Sequence, residues 1–224
     1  MTLLKHIAAR LPPLLQHELK RLNYRLQIRR NRFFTTEPEF AIAGDLAGPG
    51  DWVIDVGANV GHYTKRFSEL VGPAGRVLAF EPIPGTFALL AANTLLFPDN
   101  NVTLFNAAVS DRTEPVGMSI PSFSNGLVNY YEAHLSPLAD SELSVLSLGI
   151  DTLGINHRVA LVKIDAEDHE AAVLDGMKSM LSRDRPILIV ETGSSEVASF
   201  LESLGYGSER LPGSPNILCK PLPP

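Results

Sequence analysis

Four acidic residues, Asp55, Glu81, Asp165 and Glu191, stand at or just past the end of a short apolar run: WVIDV, RVLAFE, ALVKID and PILIVE. Runs this apolar are expected of strands covered on both faces, and carboxylates at the ends of such strands can converge on one rim of a sheet. The first run opens into DVGANVG, with Gly57 and Gly61 four positions apart and Asn59 between them. A dinucleotide turn would want G-x-G-x-x-G and a phosphate-gripping loop G-x-x-x-x-G-K-[ST], and this loop is neither. An acid at the strand end repels phosphate and suits a cation, such as an α-amino group or a sulfonium. Glu81 ends the second run, where a carboxylate can take both hydroxyls of a ribose.

A ligand with a ribose and a positive charge but no phosphate fits S-adenosylmethionine. Transfer of its methyl is an in-line displacement, so the protein chiefly aligns the reactants. A hydroxyl acceptor must also lose its proton. The candidate bases follow the fourth run: Asp165, Glu167 and His169. The other route is a divalent ion such as Mg2+, for which Asp165 and Glu191 form an oxygen-rich pair. His134 could act as a lid residue, and Lys163, inside a buried strand, needs a carboxylate partner or a path to water. Each residue has a plainer reading. Asp55 could cap a helix and Glu81 could be a surface acid. Glu167 and Glu170 could simply enrich a helix first turn, which favours negative charge. His169 could face solvent, His134 could be an ordinary loop histidine, and Tyr130 and Tyr131 could pack in a core rather than stack on a sugar.

The elements that must position these groups alternate regularly. Residues 14–31 read as a basic helix and 37–47 as a short one. Strands follow at 52–56, 76–82, 101–109, 160–165 and 186–191, with helices at 61–70, 84–97, 169–182 and 195–205. YGSERL and NILCKP read as an antiparallel pair. Residues 111–150 interrupt the rhythm with two or three short strands or loops. The expected fold is α/β: a doubly wound, mostly parallel sheet with an N-terminal helical arm over 1–36, a main domain over 37–224, and an insertion between the third and fourth strands. That insertion is where acceptor choice would lie.

The chain has 224 residues, 45% of them hydrophobic, which suits one domain. One cysteine, Cys219, excludes an intrachain disulfide and cysteine-based zinc sites, and the six histidines show no paired metal spacing. A reducing cytoplasm is the expected location. The N-terminus lacks the pattern of a signal peptide, and no stretch approaches the ~18 apolar residues of a membrane span. The net charge of −6 is uneven: residues 1–32 hold eight Lys or Arg against Glu18 alone, so the arm carries +7 and the rest −13. The arm admits a solvated or self-packing helix, a homodimer contact, or peripheral contact with an anionic membrane surface. The body has no basic patch interleaved with aromatics, so nucleic acid is not an expected partner.

VIDVGANVGHYT, AFEPIP, NAAVSD, VKIDAEDHEAAVLDG and PILIVE, in that order, resemble the FkbM family of S-adenosylmethionine-dependent methyltransferases from about Glu37 to Glu191. The resemblance implies a seven-stranded Rossmann-like methyltransferase fold and O-methylation of a hydroxyl on a sugar, glycan or polyketide-type small molecule. It implies that Asp55, Gly57, Ala58, Asn59, Gly61 and Thr64 surround the methionine part. Glu81, with Pro82 beside it, would hold the ribose, and Asn106, Ala107 and Ser110 would lie by the adenine. The chain departs from K-I-D-x-E-G-x-E by carrying Asp168 at the glycine position. Aspartate tolerates positive φ and can cap the following helix. Two further readings keep the fold: methyl transfer to nitrogen, and a cofactor-binding scaffold without catalysis.

Overall fold

The computed structural model describes residues 11–120, 134–138, 141 and 143–223. In chain order, α1 (Pro13–Arg29) and α2 (Pro38–Ile42) precede β1 (Trp52–Val56), α3 (His62–Val71), β2 (Arg76–Phe80), α4 (Pro84–Thr94) and β3 (Val102–Phe105). Short strands β4 (Ala108–Val109), β5 (Glu114–Ser119), β6 (His134–Ser136) and β7 (Leu143–Leu148) follow. The alternation resumes with β8 (Val159–Ile164), α5 (Glu170–Asp175), α6 (Lys178–Asp184), β9 (Ile187–Glu191), α7 (Ser195–Ser203), β10 (Tyr206–Arg210) and β11 (Asn216–Pro221).

Seven strands form one sheet in the order β10-β11-β9-β8-β1-β2-β3. All its pairings are parallel except those of β11, which runs antiparallel to β9 and β10. This is the expected mostly parallel sheet. Side chains alternate between its two faces, and both are apolar. Ile54, Val56, Leu78, Phe80, Val162, Ile164, Leu188 and Val190 pack with Val173 of α5, Leu181 of α6 and Leu201 of α7. Val53, Val77, Leu161 and Ile189 pack on the other side with Tyr63, Phe67 and Val71 of α3. Helices therefore cover both faces, and β1 and β8, at the centre, are the most fully enclosed.

Two expectations need correction. The third strand, read over 101–109, is two strands in two sheets: β3 ends at Phe105, and β4 joins a separate four-stranded sheet in the order β4-β7-β5-β6. The break falls at Asn106, whose side-chain amide donates to the carbonyls of Glu81 (2.9 Å) and Pro82 (3.0 Å) and so turns the chain back over the end of β2. The helix read over 169–182 is also divided. It stops at Gly176, where a Cβ would lie 1.9 Å from the Ser110 carbonyl oxygen. Asp151 then caps α6 by accepting from the Ser179 and Met180 amides at 2.8 and 2.9 Å. The insertion thus contributes most of a small sheet. Tyr130 and Tyr131 lie outside the described residues.

Candidate active site

The carboxyl ends of β1, β2, β8 and β9 surround a cavity of about 280 Å³. Gly57, Asn59, Glu81, Pro82 and Ala107 line it, together with Asp165, Glu167, His169 and Glu191. These nine residues, with His134 a tenth, were all singled out from the sequence, and they form the wall of one cavity.

The loop after β1 owes its shape to three left-handed residues: Gly57 (φ 74°), Asn59 (φ 50°) and Gly61 (φ 97°). Gly57 is needed twice, because a Cβ there would also sit 2.0 Å from the Asp165 carbonyl oxygen. The Gly57 and Ala58 amides both donate to the Phe80 carbonyl, at 3.0 and 2.9 Å, which ties the loop to β2. Glu81 completes the tie: one carboxylate oxygen accepts from the Asn59 amide (3.0 Å), the other from the Ile83 amide (2.9 Å). The side chain is only 5% exposed, and burial, with Asp165 and Asp55 nearby, lifts its pKa to about 7. Each oxygen still has acceptor capacity toward the cavity, where a pair of hydroxyls would relieve the cost of burying the charge.

Of the other residues expected around a cofactor, Asp55, Ala58, Gly61 and Thr64 are buried behind this wall. Asp55 is fully buried; one of its oxygens accepts from the Thr64 hydroxyl at 2.6 Å, and the other has no hydrogen-bond partner among the described residues. Burial raises its pKa, against the opposing pull of Lys163 and Thr64. It shares a register position with Lys163 on β8. Ala58, Gly61 and Thr64 form the inner side of the loop; a Cβ on Gly61 would meet Leu90 at 2.7 Å. Asn106 holds the turn over β2, as described above.

Ser110 is buried, and its hydroxyl lies 2.9 Å from His169 Nε2. That hydroxyl donates to Asp111 Oδ1 at 3.1 Å. A hydroxyl has one proton, so with it given to Asp111, Nε2 is the donor to Ser110 and Nδ1 keeps its lone pair. Burial lowers the pKa of His169, only partly countered by Asp111, so the ring is neutral near pH 7.

Lys163 is the counter-charge of the site. Its ammonium is buried, donates to Asp165 Oδ2 at 3.0 Å and lies 4.7 Å from the centre of the Tyr63 ring. Burial alone would lower its pKa, but Asp165, Asp55 and Glu191 together raise it. Glu191 is lifted to about 7 by burial first and then by Asp165, with which it shares a hydrogen bond. This donor set does not fit Mg2+. An ammonium already occupies one Asp165 oxygen, Glu191 is lifted to about 7 and so tends to hold a proton, and among the described residues no group of three His, Cys, Asp or Glu could hold a metal.

Asp168 has φ 68° and follows Glu167 at φ 46°, so the chain takes the glycine-like turn without glycine. The expected cap is not made: the N-cap residue of α5 is His169, and its side chain makes no cap hydrogen bond. Glu170 instead fixes this loop. It is buried off the cavity, and its carboxylate accepts from backbone amides, that of Asp168 among them. Sequence reasoning missed Glu37, Ile83, Met118 and Leu135 as cavity-lining residues and left His134, which also lines it, as one of two readings. Glu37 accepts from the Tyr63 hydroxyl at 2.7 Å. No local signal marks it, and Met118, His134 and Leu135 arrive through the pairing of β5 with β6.

Residues 55–207 match the methyltransferase FkbM domain, and the chain belongs to that family. It is 51% identical over 47 residues to the 31-O-demethyl-FK506 methyltransferase FkbM of Streptomyces tacrolimicus, a stretch that covers 21% of this chain and 18% of that protein. The fold is similar to the methyltransferase FkbM of Methylobacillus flagellatus KT, with TM-score 0.57 and 16% identity, over 76% of this chain and 43% of that one. It is also similar to a methyltransferase from Geobacter sulfurreducens, with TM-score 0.51 and 14% identity, over 98% and 94% of the two chains. The chain thus spans less than half of each of the two FkbM relatives.

Proposed function

We propose that this chain is an S-adenosylmethionine-dependent O-methyltransferase acting on a hydroxyl of a sugar, glycan or polyketide-type small molecule. The observation that carries the reading is Glu81, a nearly buried carboxylate held by two backbone amides and lining the cavity next to the left-handed loop. When bound, S-adenosylmethionine supplies the methyl group on a positively charged sulfur. Glu81 would hold the ribose hydroxyls, and Gly57, Asn59, Pro82 and Ala107 would form the wall around it. Asp55 acts from behind, bracing the loop through Thr64 and sharing the Lys163 charge.

On the acceptor side, His169 takes the hydroxyl proton at Nδ1, with Ser110 and Asp111 fixing the ring and its tautomer. Asp165 and Glu167 lie on the same rim and can orient the acceptor through hydrogen bonds. His134, Leu135 and Met118 bring the small sheet to the cavity and would select the acceptor. A neutral histidine beside the site favours oxygen, because a hydroxyl must lose its proton in the reaction whereas a neutral amine attacks with its own lone pair. The Streptomyces relative is named for an oxygen-bearing acceptor, which supports the same reading.

Incubation with carbon-13 methyl-labelled S-adenosylmethionine and a panel of glycosides, polyketide alcohols and amines tests this. A new methyl resonance at the shift of a methyl ether is the expected result. An N-methyl product, or no turnover across the panel by protein that binds the cofactor product, would overturn it.

A further inference from the structure

The helix of the arm is mounted with a stripe of leucines outward. Leu15, Leu19, Leu22 and Leu26 recur at spacings of four, three and four, so at 100° per residue they share a stripe about 60° wide. All four are exposed: Leu22 is 53% and Leu26 50% accessible, and neighbouring Leu14 is 85% accessible. The opposite side of α1 meets the body. There His17 lies 3.0 Å from the Gly85 carbonyl oxygen, Ile28 is buried, and the Tyr24 ring sits edge-on to Phe33. Arg25 and Arg29 border the leucine stripe on one side and Arg30 on the other, all exposed, with Arg21 beyond them. Glu18 is the one acid of the helix.

We propose that α1 is a docking surface for an anionic lipid bilayer, lying in the interface plane with its leucines among the acyl chains and its arginines at the headgroups. On such a surface, apolar burial and attraction to anionic lipid add together. Charge favours the bilayer over the other natural occupant, the same helix of a second copy, because each helix is net basic, with Lys20, Arg21, Arg25 and Arg29 against Glu18, and a second basic helix matches it less well than anionic headgroups do. Size agrees. A 17-residue helix is about 25 Å long, and a strip ~10 Å wide along it offers on the order of 250 Å², far below the roughly 800 Å² per partner of a stable interface. The proposal is independent of the methyl-transfer reading. Among the described residues no helix is long and apolar enough to cross a membrane, so the contact is peripheral.

The test is co-sedimentation of the intact chain with phosphatidylcholine vesicles and with phosphatidylcholine–phosphatidylglycerol vesicles. A Leu19→Ser, Leu22→Ser, Leu26→Ser triple variant and an Arg25→Glu, Arg29→Glu double variant are compared. Circular dichroism and thermal unfolding of each variant serve as fold controls, since these side chains face away from the core. Binding to the anionic vesicles only, weakened about a hundredfold by the triple variant and at least roughly tenfold by charge reversal or high salt, is the expected result. Equal partition to both vesicles, or no partition by folded protein, overturns the proposal. A concentration-dependent dimer abolished by the leucine substitutions, without vesicle binding, overturns it in favour of self-association.

Discussion

Acidifying the solution from about pH 8 to about pH 6 should weaken the binding of S-adenosylhomocysteine by roughly tenfold, through Glu81. With its pKa at about 7, against 4.5 for an ordinary glutamate, the free carboxyl holds a proton that a ribose would displace. The shift corresponds to about 3 kcal/mol of penalty on the buried charge, and the group is too enclosed for solvent to screen it. The sign for stability is definite. The folded carboxyl keeps its proton longer than the unfolded one, so the unliganded fold loses up to about 3 kcal/mol as pH rises from about 4.5 to about 7. Two ribose hydroxyls donating to the carboxylate would favour its charged form, so the ligand binds with release of a proton below about pH 7. Calorimetric titrations in buffers of different ionisation enthalpy measure that proton directly. Glu81→Gln should bind about 5- to 150-fold more weakly, equivalent to about 1–3 kcal/mol, and lose the pH dependence. An affinity flat across this range, or an equal slope in Glu81→Gln, would refute the reasoning.

Three further substitutions probe the rest of the site. His169→Ala should lower turnover by roughly 10² to 10⁴ while leaving the affinity for S-adenosylhomocysteine within a few-fold, as separate rate and binding measurements would show. Gly57→Ala should cost roughly 2–5 kcal/mol in denaturant unfolding, because the residue has φ 74° and its Cβ would collide with the Asp165 carbonyl. Lys163→Met should cost about 3 kcal/mol or more near pH 7, since it leaves Asp55 and Asp165 without their buried counter-charge, and the loss should shrink as acid protonates Asp55.

The strands that carry the site were legible because each is a continuous apolar run closed by a turn, which is what a strand buried on both faces must look like. Glu81, Asp165 and Glu191 could be set on one rim from that alone. Asp55 was harder to place. One residue decides which face of a strand a side chain takes, and the pleat turns Asp55 toward Thr64 of α3, behind the loop. Glu81 lies past the end of β2, where the pleat no longer fixes its direction. The division of the helix had only a weak local signal, Gly176 itself, because its cause is the close approach of the Ser110 backbone, distant in sequence. The same holds for Asn106, which splits the third strand by reaching back to Glu81 and Pro82. The pairing of His169 with Ser110 likewise depends on that non-local turn. Periodicity identified α1, but only packing shows that its leucines face away from the body.

The most direct measurement is calorimetric titration of the intact chain with S-adenosylhomocysteine at about pH 8, with Glu81→Ala titrated in parallel and Mg2+ added in a third run. The account predicts micromolar binding at one site, a loss of about 1–3 kcal/mol in the variant, and no change with Mg2+. Absence of binding by folded protein, or full affinity in Glu81→Ala, would contradict the assignment of this cavity to a methyl donor.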